Sequence, residues 1–205
     1  LIAEIVAFCE QRGIYLSMDD IYQRLLFDGL RPVVAYDYAK DLSESSRLVV
    51  INGVSKQYAM TGFRIGWAVG NRELISAMSN IQGHETSGTS PAMQMAAAAA
   101  INGPQDSVDE LVRSLKQNRD IMMEELGRLQ KVKVVRPQGT FYCLPDFSGY
   151  DPDSSRLAAL LLDRVQVVTV PGVEFGMEGH LRVSYCGSAE DIREGLARVR
   201  KQLDG

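Results

Sequence analysis

Asn52-Gly53-Val54-Ser55-Lys56-Gln57-Tyr58-Ala59-Met60-Thr61-Gly62-Phe63-Arg64-Ile65-Gly66-Trp67 places a lysine in a loop of small residues, with an arginine eight residues later and an apolar run on either side. Those runs, 47–51 and 63–69, are rich in β-formers and bounded by Gly or Asn, which predicts two buried strands joined by the loop. A lysine held in a partly desolvated site can reach its neutral form, and the neutral amine condenses with a carbonyl compound to a Schiff base. A guanidinium nearby suits an anionic group on the same compound. The competing reading of Lys56 is a solvated surface side chain, the ordinary state of a lysine. Gly53, Ser55, Ala59 and Gly62 weigh against it, because they are small enough to let a ligand approach the backbone.

Upstream of this stretch, Leu1, Ile2, Ile5, Val6, Phe8 and Cys9 recur at helical spacing and Gly13 stands where a helix C-cap belongs. A short apolar run over 14–18 then reads as a buried strand. Parallel sheets are assembled from strand-helix-strand units, so a helix followed at once by a buried strand implies an earlier strand, and the chain reads as starting inside a longer protein. Downstream, helices are predicted over 71–82, over the Ala-rich 91–101 and over 105–131, where Leu111, Leu115, Ile121, Met122, Leu126 and Leu129 form one stripe. The alanine run suggests close helix packing. Gly103-Pro104 marks a boundary. Strands are predicted near 132–135, 140–144, 165–170 and 181–185, with helices over 154–163 and 189–203. The fold class is α/β, a partial mixed sheet over 1–103 followed by a long linking helix and a small α+β domain over 104–205.

The net charge of −4 is spread over both signs without a basic block, which argues against nucleic acid as a partner. No apolar stretch approaches the roughly 18 residues of a membrane span. Glu4 and Glu10 interrupt the apolar face of the first helix, unlike a signal peptide. Cys9, Cys143 and Cys186 lie far apart with no CxxC spacing, as expected of reduced thiols in the cytoplasm. His84 and His180 have no metal-ligand spacing, so no metal is expected.

Four further residues stand where chemistry is possible. Asp19 follows the first strand, and the carboxyl ends of parallel strands are where open α/β sheets bind ligands; a turn or N-cap aspartate is the alternative. Tyr22 lies three residues on, within one turn if a helix begins there, and is otherwise a core aromatic with its hydroxyl at the surface. Arg64 can bind phosphate or pair with a carboxylate at a strand edge. Arg182, flanked by Leu181 and Val183, is costly to bury without an anionic partner, which is either a ligand or a structural carboxylate. The hydroxyl-rich Thr86, Ser87, Thr89 and Ser90 read as a turn and N-cap before the Ala-rich helix.

The stretch around Lys56, together with Ser17-Met18-Asp19-Asp20-Ile21-Tyr22, Thr140-Phe141-Tyr142, Pro171-Gly172 and the strand bearing Arg182, resembles the class I/II aminotransferases, pyridoxal-phosphate enzymes of fold type I. The resemblance covers nearly the whole chain and corresponds to the second half of that family's members. It implies pyridoxal 5'-phosphate as cofactor and transfer of an amino group from an α-amino acid to a 2-oxo acid. By resemblance, Lys56 forms the Schiff base, Asp19 rather than Asp20 faces the pyridine nitrogen, Tyr22 meets the ring oxygen, Arg64 holds the phosphate and Arg182 clamps the substrate carboxylate. A homodimer is implied as well, and the hydroxyl-rich stretch then falls near the partner's cofactor phosphate. One departure is Gly53, where many relatives carry a serine that binds phosphate. The family's upstream Gly-rich phosphate loop has no counterpart here, so these residues alone are expected to bind the cofactor weakly. A carbon-sulfur β-lyase on the same scaffold and a non-catalytic truncated module are the alternatives.

Overall fold

The computed structural model describes residues 1–39 and 45–205. They form two compact units, Leu1–Asp109 and Glu110–Gly205.

In the first unit, helix α1 (Ile2–Arg12) ends at Gly13, whose φ of 65° is left-handed and whose N–H returns to the carbonyls of Cys9 and Glu10. Strands β1 (Leu16–Asp19), β2 (Leu48–Gly53) and β3 (Gly66–Val69) form one sheet in that order, with β1 parallel and β3 antiparallel to β2. The sheet is therefore mixed, as predicted. Leu48, Val49 and Val50 of central β2 are buried, and Leu48 and Val50 pack with Ala35, Ile2 and Tyr36. The flanking strands depart from expectation, because Ser17 and Asp19 of β1 and Gly66 and Val69 of β3 are exposed. An apolar run marks a strand here without marking full burial.

The run 63–69 also starts differently from its prediction. Thr61–Phe63 is a 3-10 turn, Arg64 is left-handed at φ 55°, and the extended strand begins only at Gly66. Beyond β3, helix α2 (Arg72–Thr86) is capped by Asn71, whose side chain accepts the Leu74 N–H at 2.8 Å. Helix α3 (Pro91–Asn102) follows Ser90, which makes no side-chain cap bond. Of its alanine run only Ala97 is buried, against Val54 and Ile65, which flank the Lys56 loop.

Helix α4 (Asp106–Leu126) carries the chain into the second unit and stops short of the predicted Lys131. Gly127 donates back to the Met123 carbonyl, and Arg128 and Leu129 close tighter turns on Glu125 and Leu126. Strands β4 (Tyr142–Cys143), β5 (Val170–Pro171) and β6 (Leu181–Ser184) form a second sheet in the order β4-β6-β5, and helices α5 (Ser154–Val165) and α6 (Ala189–Asp204) pack against each other. Three predicted strands shrink, the one over 140–144 to Tyr142–Cys143 alone. Over 132–135 only Lys133 pairs, exchanging both backbone bonds with Asp146, while Val135 is exposed. Over 165–170 helix α5 claims Val165 and closes on left-handed Gln166, which leaves Val170 alone of that run in a strand. Local helix closure overrides the β-preference of valine in this segment.

Among the described residues no helix is long and apolar enough to cross a membrane, and no cluster of His, Cys, Asp or Glu side chains is placed to hold a metal ion.

Candidate active site

The sheet of the first unit brings distant residues to one edge. Because β1 and β2 run parallel, their carboxyl ends, Asp19 and Gly53, lie at the same edge, and antiparallel β3 starts from that edge at Gly66. The Lys56 loop joins β2 to β3 across it. Asp19, Tyr22, Ser55, Lys56 and Arg64 consequently line one cleft of about 470 Å3, with Ile21, Ile51 and Ile65 supplying apolar wall. That volume and that mix of apolar wall with a few polar groups suit a small-molecule site.

The backbone beneath the loop is closely packed. Gly53 stands opposite Gly66, and a Cβ on Gly53 would meet the Ile65 carbonyl oxygen at 2.8 Å and the Ile21 Cδ1 at 3.1 Å. Ala59 and Arg64 hold positive φ of 53° and 55°, a conformation that costs non-glycine residues energy and is concentrated at functional sites. Apolar packing of Val54 and Ile65 against Ala97 keeps the loop in that shape.

Each predicted residue has a definite place. The Asp19 carboxylate accepts the Ile21 N–H at 3.3 Å, so it shapes the turn after β1 while lining the cleft. Tyr22 sits in a tight turn, not a helix, closed by Gln23 N–H to Asp20 O at 2.9 Å and Leu25 N–H to Tyr22 O at 2.8 Å. Asp20 continues the β1–β2 ladder through its N–H to Ile51 O at 2.8 Å. Burial and then the neighbouring Asp19 charge push its carboxyl above the ordinary value. Lys56 is half-buried, with its backbone carbonyl accepting the Ala59 N–H at 3.3 Å. Arg64 is exposed, and one guanidinium N–H returns to Thr61 O at 3.2 Å. It also borders a neighbouring groove of about 510 Å3 that contains Thr89 of the hydroxyl-rich stretch.

Arg182 belongs to the second unit and lines none of these clefts. It lies on β6 between the rings of Tyr142 and Phe175, its guanidinium carbon 4.5 Å from each ring centroid. Such stacking orients the planar cation without consuming its hydrogen-bond donors. Arg182 makes no salt bridge among the described residues, which weighs against the structural ion pair.

Sequence reading missed the polar groups behind the site. Asn52 and Gln57 are buried, and Arg24, Tyr58 and Gln105 form a hydrogen-bonded cluster that ties the loop to the end of α3. Two amides bracketing the lysine between apolar runs were the available signal for Asn52 and Gln57. Ser55, read only as a small residue, is among the residues that line the cleft.

Residues 1–199 match the family model of aminotransferase class I and II. The chain belongs to that family, whose members depend on pyridoxal phosphate. It is 35% identical over 201 residues to an aspartate aminotransferase of Bacillus sp. (strain YM-2), covering 96% of this chain and 51% of that one. It is 36% identical over 193 residues to a probable aspartate/prephenate aminotransferase of Rickettsia felis, covering 89% of this chain and 47% of that one. Among solved structures, an aromatic aminotransferase from Pyrococcus horikoshii superposes with a TM-score of 0.92 at 26% identity over 99% of this chain and 54% of that one. The aspartate aminotransferase of Thermus thermophilus with maleate does so at 0.88 and 33%, over 98% of this chain and 51% of that one. The chain spans about half the length of the curated relatives it matches.

The cleft's donor set fits the family's cofactor. It offers an amine for an aldehyde, a guanidinium and a hydroxyl for a phosphate, and a carboxylate and a phenol for a polar ring.

Proposed function

We propose that this chain carries the lysine-bearing part of an aminotransferase that moves an amino group from an α-amino acid to a 2-oxo acid with pyridoxal 5'-phosphate. The observation that carries the reading is the convergence of Asp19, Tyr22, Lys56 and Arg64 on a single cleft at the carboxyl edge of β1 and β2. The Lys56 amine would anchor the cofactor covalently and, when free, would take the proton from the substrate α-carbon. Arg64, with the Ser55 hydroxyl, holds the phosphate. Asp19 pairs with the pyridine nitrogen, and Tyr22 donates to the ring oxygen. When bound, the cofactor supplies an electron sink for the charge that develops at the α-carbon. Arg182, oriented by Tyr142 and Phe175, takes the substrate carboxylate.

In this reading residues 1–103 are the second part of the large domain and 104–205 are the linking helix with the small domain. A homodimer and a cytoplasmic setting belong to the same proposal; three free cysteines support the latter. The similar proteins are named as aminotransferases, which favours amino transfer over carbon-sulfur cleavage.

Borohydride reduction in the presence of pyridoxal phosphate, followed by peptide mass mapping, tests the anchor. A pyridoxyl adduct on Lys56 is expected. An adduct confined to other lysines, or no adduct in the full-length protein, overturns the assignment.

A further inference from the structure

Asn52 stands at the end of β2, buried, with every polar atom of its amide engaged. Its Oδ1 accepts the Gly53 N–H at 2.7 Å and the Gln57 Nε2–H at 3.3 Å, while its Nδ2 donates to Gln23 Oε1 at 2.8 Å. Gln57 Nε2 also donates to Gly53 O at 3.0 Å. Gln23 directly follows Tyr22, and Gln57 directly follows Lys56. One side chain thus holds the turn that carries the phenol and the loop that carries the amine, two segments more than thirty residues apart in the chain.

Burying these amides is expensive. Asn52 is 8% exposed and Gln57 4%, and Gln57 Oε1 has no hydrogen-bond partner among the described residues. A leucine at 57 would fill similar space without stranding a carbonyl, so the amide is kept for the bonds that its nitrogen makes. Hydrogen bonds inside such a packed site fix geometry more firmly than exposed ones, because water does not compete for them.

We infer that Asn52, with Gln23 and Gln57, is a positioning residue that couples the Tyr22 turn to the Lys56 loop, so that phenol and amine face the same ligand. The inference rests on the cofactor reading above for its purpose and on the hydrogen bonds alone for its existence. It is tested on the 205-residue chain by measuring how fast acetic anhydride labels Lys56, with exposed Lys131 as internal reference. Gln23→Leu removes the acceptor on the far side of Asn52 and is expected to raise the Lys56 rate about threefold to tenfold. Gln23→Glu restores an acceptor and keeps the wild-type rate. Asn52→Ala gives the same rise as Gln23→Leu; should it fail to fold, Gln23→Leu, in a half-buried turn, decides alone. An unchanged Lys56 rate in folded Gln23→Leu, or equal rises in Gln23→Leu and Gln23→Glu, overturns the coupling. Borohydride trapping of pyridoxal phosphate on the same proteins separates the two readings. An adduct confined to lysines other than Lys56 in the wild type removes the cofactor reading and leaves the coupling to be judged by acetylation. An adduct that forms on wild type and falls in Gln23→Leu supports both.

Discussion

Gly53 and Gly66 face each other across the β2–β3 ladder so closely that a Cβ on Gly53 would stand 3.2 Å from the Gly66 Cα and 2.8 Å from the Ile65 carbonyl oxygen. The obstacle is backbone, which cannot rotate away as a side chain can. Gly53→Ser is therefore expected to destabilise the chain by about 1–3 kcal/mol through overpacking. The fall in the urea midpoint measures it. Retention of the wild-type midpoint would show that this strand pair can spread to admit a side chain.

Arg182 is held flat between two rings, a geometry a lysine cannot reproduce. Arg182→Lys is expected to raise the KM for the amino-acid donor roughly tenfold to a hundredfold, the equivalent of about 1.5–3 kcal/mol of charge-assisted hydrogen bonding. Pyridoxal phosphate trapping on Lys56 should be untouched. Phe175→Ala should reproduce part of the KM effect by removing one stacking face, worth about 0.5–2 kcal/mol.

Asp20 gives a pH-dependent signature. Its carboxyl is held above the ordinary 3.8, first by burial and then by the Asp19 charge. A carboxyl with a raised folded pKa binds its proton more tightly in the folded state. Its stabilising contribution is thus complete below the unfolded pKa and is lost as pH rises through the folded one. At neutral pH Asp20 is a net cost. Asp20→Asn should raise the thermal midpoint near pH 7, with the advantage shrinking as pH falls through the raised pKa and gone below about 4. A constant advantage across that range would locate the effect elsewhere.

The thiols differ in reactivity. Cys186 is exposed, whereas Cys143 is buried and burial pushes its thiol up to about 12. Maleimide near neutral pH should label Cys186 rapidly and Cys143 only after denaturation, as read by peptide mapping. Equal labelling of both in the folded chain would contradict the packing of β4 against β6.

Much of this organisation was legible from residue order. The helical spacing before Gly13 and the β-rich runs on either side of Lys56 report local backbone preference, which acts over a few residues. Where prediction and structure part, something non-local or a competing local bond decides. Val165 has a strand former's side chain and ends a helix, because the left-handed cap at Gln166 satisfies that helix's last carbonyls. Val132 to Val135 alternates like a strand, yet only Lys133 finds a partner, in Asp146. Exposure of β1 and β3 was equally invisible, since an apolar run does not say what covers it.

For the site, the sequence by itself determined the chemistry on offer: an amine in a small-residue loop, a guanidinium eight residues on, a carboxylate and a phenol after a strand. Those are properties of side chains and their near neighbours. Only the tertiary structure decided that four of them share a cleft, because that depends on β1 and β2 running parallel and β3 returning from their common edge. It alone set Arg182 between two rings and Asn52 between the Tyr22 turn and the Lys56 loop. Hydrogen bonds and stacking join residues that sequence keeps far apart, and their partners are fixed by how the strands pair.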